Sequence, residues 1–379
     1  MQIRSRISVR SGALMFLIAA CGAAAAHAPA SLKLAFKGDF VIGAAINEAQ
    51  ITGQDQREDA LIESQFNSIS PENALKWANV HPQPGKYNFD LTDKYVAFGQ
   101  KYHMFIVGHN LVWHNQVPDW VFHDDKGNLL DRDALLARMK DHIDTVVGRY
   151  KGKIQSWDVV NEALNEDGTL RQSLWYKIIG PDYIEKAFQF AHQADPHVQL
   201  FYNDYNLENE PKRNGAIALV KKLQADGIPI SGVGIQDHDS LTFPAVDQED
   251  ATISAFAALG VKVAISELDI DVLPHRGGPT ADVSLKIAQN AALNPYAGGL
   301  PDSVQQQLAT HYADLFRVYL KHRDTVERVT FWGVTDGDSW LNDWPVNGRT
   351  SYPLLFDRNS QPKAAFNAVI AVASETSTK

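Results

Sequence analysis

Two glutamates each close a short apolar, strand-like run. Glu162 ends IQSWDVVNE and Glu267 ends VKVAISE. Two carboxyls delivered by strand ends into one cleft are the minimum equipment for hydrolysing a glycosidic bond. One donates a proton to the leaving oxygen, and the other stays ionised and attacks the sugar or activates water. Whether this pair can meet depends on the elements that carry it.

Eight runs have strand character: FVIGAAI from Phe40, FNSIS from Phe66, MFIVGH from Met104, IQSWDVV from Ile154, VQLFYN from Val198, SGVGIQ from Ser231, VKVAIS from Val261 and RVTFWGV from Arg328. Most are nearly continuous in apolar residues, as strands buried on both faces of a parallel sheet are. Helical periodicity separates them over Leu135 to Tyr150, Tyr183 to Ala194, Gly215 to Asp226 and Val304 to His322. The alternation predicts an α/β fold, a single-domain (β/α)8 TIM barrel with long loops at its C-terminal face. The stretch His275 to Ser303, rich in Gly, Pro and Asn, reads as an extended loop after the seventh strand. Its one acid before Asp302 is Asp282, so calcium is not expected there.

Barrel geometry then selects residues, because C-terminal strand ends share one cleft. The ends are Asn47 and Glu48, Glu72 and Asn73, His109 and Asn110, Asn161 and Glu162, Asn203 and Asp204, Gln236 with His238, Glu267 with Asp269, and Trp332. Carboxylates, amides, imidazoles and indoles suit a sugar, whose hydroxyls need polar partners and whose ring faces need flat apolar ones.

The chain has 379 residues with a net charge of -10, which argues against nucleic acid or an anionic membrane surface as partner. Residues 1-28 read as a secretion signal: Arg4, Arg6 and Arg10 precede the apolar Ala13 to Ala20, and small residues run to Ala28. The segment is too short for a membrane span. Cys21 is the only cysteine, so no intramolecular disulfide forms. Ile18-Ala19-Ala20-Cys21 resembles a bacterial lipobox, with cleavage before Cys21; the other reading is ordinary cleavage near Ala26 or Ala28. The catalytic domain is then 29-379. The protein is expected to be secreted or periplasmic, or else an outer-membrane-anchored lipoprotein.

WDVVNEALNEDGTLR around Glu162 and ISELDI around Glu267 resemble the signature segments of glycoside hydrolase family 10, the retaining endo-1,4-β-xylanases. FNSISPENALKW, GHNLVWHNQVPDW, LFYNDYN, GVGIQDH and TFWGVTDGDSWLNDWPVNGRTSYPLLFD match in order, so the resemblance spans the mature chain. It implies that Glu162 is the general acid/base and Glu267 the nucleophile, about 5–5.5 Å apart, with the charge on one raising the pKa of the other. His238 would contact the nucleophile and Asp269 would orient His238. Asn161 would bond the 2-hydroxyl at the cleavage point; Asp158, in the same run, has a second reading as a buried structural carboxylate. Glu72, Asn73 and Lys76 match the glycone side, although Pro71-Glu72-Asn73 would also start a helix well. His109 and Gln116 would bond sugar hydroxyls, Trp113 would line the nucleophile's side, and Gln236 would stand at a strand end in the same cleft. Trp332 and Trp340 would wall the sugar, with Trp344 and Arg349 bordering the cleft, and Tyr205 and Asn206 would reach the leaving-group side. Asp237 departs from the small residue expected there, and either shifts the nucleophile's pH behaviour or points away.

The five-residue spacing of His109 and His114 is not a usual ligand spacing, and no HExxH occurs, so neither metal nor cofactor is expected. A sugar-binding protein on an inactive barrel would not need both carboxyls. A cellulase or mannanase on the same barrel is the nearest rival. The expected partner is xylan or xylo-oligosaccharide, bound by a monomer.

Overall fold

Each of the eight apolar runs forms a parallel strand: β1 (Val41–Ile46), β2 (Ser68–Pro71), β3 (Phe105–Val112), β4 (Ser156–Asn161), β5 (Gln199–Asp204), β6 (Gly232–Ile235), β8 (Lys262–Asp271) and β9 (Val326–Phe331). The computed structural model describes residues 30–274 and 280–376. The signal-like segment and Cys21 lie outside the described residues, as does the start of the loop from His275. No described helix is long and apolar enough to cross a membrane. The described residues from Ser31 onward form one compact unit.

Neighbouring strands pair in chain order from β1 to β6. β6 then pairs with β8, β8 with β9, and β9 with β1, which closes the eight-stranded (β/α)8 barrel. A ninth strand, β7 (His238–Ser240), was not legible as an apolar run. It lies parallel to the end of β8, with His238 opposite Asp269. β8 itself continues through Asp271, beyond the predicted VKVAIS.

The strands are buried on both faces, as their apolar runs require. Packing is tight enough to demand glycine at Gly108, where a Cβ would come within 2.1 Å of the Trp157 ring. The helices start where local signals permit. Arg132–Arg149 begins upstream of Leu135 because the Asp131 carboxylate accepts from the Ala134 N–H at 2.8 Å. Glu210–Ala225 carries Pro211 in its first turn, where a missing N–H costs nothing. Pro71 does not open a helix, because it ends β2. Glu72 and Asn73 stand on the following loop, and the helix begins at Trp77.

Candidate active site

Glu162 and Glu267 reach the cleft by different routes. Glu162 follows β4 with a left-handed backbone, φ 58, and its N–H donates to the Asn203 carbonyl at 2.9 Å. A non-glycine residue there is strained and is held by its surroundings. Glu267 lies within β8, where the pairing with β9 shifts register between Ile265 and Leu268. Such an irregularity re-aims a side chain.

Both carboxyls line one cavity of about 150 Å³. Its walls also include Glu72, Asn73, Lys76, His109, Trp113, Gln116, Asn161, Gln236, His238, Trp332 and Trp340. Asp269, Tyr205 and Asn206 stand outside that lining, and Asn206 Nδ2 donates to Glu166 Oε2 at 3.1 Å. Asp269 is directly behind: its two oxygens meet His238 Nδ1 at 2.9 Å and Trp340 Nε1 at 2.7 Å. Tyr205 is buried, with Lys212 Nζ 3.5 Å from its ring and its hydroxyl bonded to Arg171. Trp344 and Arg349 do not line the cavity either. Trp344 stacks on Trp340 at 4.4 Å, and Arg349 pairs with buried Asp271 at 3.0 Å. A larger groove of about 480 Å³ continues from His238 past Leu273 and Tyr296.

Every oxygen of the pair has a donor. Trp113 Nε1 donates to Glu162 Oε2 at 2.8 Å, and Gln236 Nε2 and Asn161 Nδ2 donate to Oε1, each at 3.1 Å. Asn203 Nδ2 donates to Glu267 Oε1 at 2.7 Å, and His238 Nε2 stands 3.3 Å from Oε2. Asn203 also donates to Asn161 Oδ1 at 2.8 Å, which links the two carboxyl surroundings. It can do so because residue 234 is glycine: a Cβ there would lie 2.1 Å from Asn203 Oδ1.

The two carboxyls are pushed in opposite directions. Burial raises Glu162 to about 7, helped by the charge of Asp204 and, less strongly, that of Glu267, against the bonds from Trp113 and Gln236. The expected cause, the neighbouring nucleophile's charge, is therefore the smaller one. Burial would raise Glu267 too, but the charge of His109 and the contacts of His238 and Asn203 outweigh it. That carboxyl is held below its ordinary range. His238 is raised to about 10: its burial is overcome by Asp269 and Glu267. One carboxyl can thus hold a proton at neutral pH while the other is ionised.

The remaining walls are ordered polar groups. Lys76 Nζ donates to Asn73 Oδ1 at 3.1 Å, as does Gln116 Nε2 at 3.2 Å, and Asn73 Nδ2 donates to Glu72 Oε1 at 3.1 Å. Burial lowers the Lys76 ammonium despite three nearby glutamates. Asp158 is the structural carboxylate: it fixes His109 Nδ1 at 2.9 Å. Asp237 points away from Glu267, and its Oδ2 accepts from the Tyr319 hydroxyl at 2.7 Å.

The sequence reading gave no role to four contributors. Asn203 and Asp204 were visible as a polar strand end, but nothing there tells which carboxyl each serves. Ala281 and Val283, from the loop after β8, also line the cavity. Small apolar side chains in a loop carry no chemical signal.

The profile of Glycosyl hydrolase family 10 matches residues 31–372. The endo-1,4-beta-xylanase A of Xylanibacter ruminicola is 45% identical over 334 residues, 87% of this chain and 90% of that protein. The endo-1,4-beta-xylanase of Geobacillus stearothermophilus is 42% identical over 347 residues, 90% of this chain and 98% of that protein. Among solved structures, a family 10 endoxylanase from a sugarcane soil metagenome superposes with a TM-score of 0.88 at 48% identity, covering 90% of this chain and 100% of that one.

Proposed function

The chain belongs to glycosyl hydrolase family 10, and from that premise and the geometry of the cleft we propose that it cuts internal β-1,4-xylosidic bonds of xylan with retention of configuration. It is a glycoside hydrolase. The carrying observation is that two carboxyls in one cavity are held in opposite states, Glu162 raised to about 7 and Glu267 below its ordinary range.

In the first step the Glu162 proton passes to the glycosidic oxygen as the C1–O bond breaks, and a Glu267 oxygen bonds to C1. In the second, Glu162 takes a proton from water, the water oxygen bonds to C1, and Glu267 leaves as carboxylate. His238, backed by Asp269, keeps Glu267 ionised between turns. Asn161 and Gln236 stand at the cleavage point, Glu72, Asn73, Lys76, His109 and Gln116 hold glycone hydroxyls, and Trp113, Trp332 and Trp340 supply flat walls. Tyr205, held by Lys212 and Arg171, reaches the leaving-group side. The N-terminal 28 residues are read as an export signal. Comparing cell-free and membrane fractions for wild type and Cys21→Ser would separate free secretion from a lipid anchor.

The central test uses Glu162→Ala and Glu267→Ala on xylan and on an activated aryl β-xylobioside, with and without azide. Glu267→Ala loses both activities. Glu162→Ala loses xylan hydrolysis yet reacts with the activated substrate, whose leaving group needs no proton, and azide yields a β-glycosyl azide. An α product overturns retention, and equal activity on cellulose and xylan overturns the substrate.

A further inference from the structure

Beside His238 four acids are buried together, and one of them, Asp239, also lines the groove that runs from His238 past Leu273. Glu208 follows β5, Asp237 follows β6, Asp239 lies in β7, and Glu249 lies on the helix Val246–Ala257. Their exposures are 2%, 1%, 5% and 0%. One carboxylate oxygen each from Glu208, Asp237 and Glu249 lies within 4.8 Å of the other two.

The charges of Lys212 and Arg213 reach Glu208 and Glu249 from a distance, but neither closes an ion pair with the cluster. Among the described residues no lysine or arginine pairs with any of the four. Arg213, whose charge reaches Glu249 without pairing with it, donates instead to the Glu208 carbonyl at 3.2 Å and to Thr252 Oγ1 at 3.0 Å. Lys212 is engaged by Asp204 at 3.1 Å and Glu166 at 2.9 Å. Five carboxylate oxygens have no hydrogen-bond partner: Glu208 Oε1, Asp237 Oδ1, Asp239 Oδ2 and both oxygens of Glu249. Glu249 is therefore a fully buried carboxylate turned toward two others with no donor on either oxygen.

A shared proton could join Glu208 to Asp237, whose carboxyls are within hydrogen-bonding reach. It would leave Glu249 and Asp239 unanswered. Water could donate to them but would not cancel the charge of their ionised forms, and without a cation each would have to take up a proton of its own. A divalent cation answers both needs. Calcium takes oxygen ligands at about 2.3–2.6 Å, so oxygens up to about 4.8 Å apart can share one ion; magnesium's shorter and stricter shell fits that spread less well.

We propose that Glu208, Asp237 and Glu249, with Asp239 beside them, form a structural calcium site. It is distinct from the hydrolytic cleft and contrary to the expectation of no metal drawn from sequence. Asp237 and Asp239 flank His238, so the ion would tie the segment carrying His238 to the Val246–Ala257 helix and to the loop after β5. It touches no reacting atom.

The test measures bound metal and melting temperature on the full chain. After calcium loading and desalting, elemental analysis should give one calcium per chain, and EGTA should remove it. Calcium should raise the melting temperature of stripped protein by on the order of 4 °C, and magnesium by less. Glu249→Gln should lose the bound calcium and the shift, with Asp239→Asn as a second variant should the first not fold. Absence of bound calcium together with an unchanged melting temperature in calcium and EGTA overturns the proposal. Calcium retained at full stoichiometry by whichever variant folds overturns the location.

Discussion

The cleft and the acid cluster beside it are both buried, both rich in carboxylates, and joined through one short segment, yet they are built differently. In the cleft each oxygen of Glu162, Glu267 and Asp269 meets a named donor: Trp113, Gln236, Asn161, Asn203, His238 or Trp340. In the cluster five oxygens meet none. Directed donors let a protein choose the protonation state of each group separately, which a reaction needs. Oxygens that converge without donors can be satisfied only together, by protons or by a cation. Burial alone therefore does not identify a reactive carboxylate; the donors around it decide.

The largest expected change comes from making the cleft resemble the cluster. Asn203→Ala removes the donor from Glu267 Oε1 and leaves that oxygen orphaned. A hydrogen bond to a charged group is worth about 1.5–3 kcal/mol, so kcat should fall roughly 10²-fold. The acidic limb of the pH profile should also move to higher pH, because the ionised form has lost a donor. An unshifted limb with the same loss would mean Asn203 only packs the site.

Gly234→Ala should act through the same residue and more weakly. Its Cβ would meet Asn203 Oδ1 at 2.1 Å, and overpacking of this kind costs about 1–3 kcal/mol. The expected loss in kcat is about tenfold, with no further loss when combined with Asn203→Ala. Additive losses would show that Gly234 serves something other than Asn203.

The difference between the two regions also explains what could be read beforehand. The barrel was legible because buried parallel strands must be continuously apolar, as in VKVAIS and VQLFYN. Glu162 and Glu267 were legible because they end such runs. β7 and the continuation of β8 were not, because ELDID and HDS are polar where they line the barrel mouth. Asn203 was visible as a strand end, but its target depends on a missing Cβ one strand away. The cluster left no spacing signal: its acids come from a loop, a turn, a short strand and a helix, and only the folded chain assembles them. The helix expected from Pro71 failed because the local signal yielded to pairing of Ile46 with Pro71 at the end of β2.

The smallest expected effect tests the donor rule on the other carboxyl. Trp113 Nε1 bonds Glu162 Oε2 at 2.8 Å, and a donor favours the ionised form, so it works against burial and against the charges of Asp204 and Glu267. Proton donation requires protonated Glu162, so kcat/KM should decline as pH rises past about 7, where Glu162 titrates. Trp113→Phe keeps a flat wall but removes the donor. Gln236 and Asn161 still serve Oε1, so the rate below the limb should change little. The limb itself should move to higher pH, since the proton is now held more firmly. A limb that stays fixed would mean the indole serves Glu162 only as packing. A limb that moves down would mean the bond favours the protonated acid, and the two oxygens of Glu162 would then have exchanged their parts.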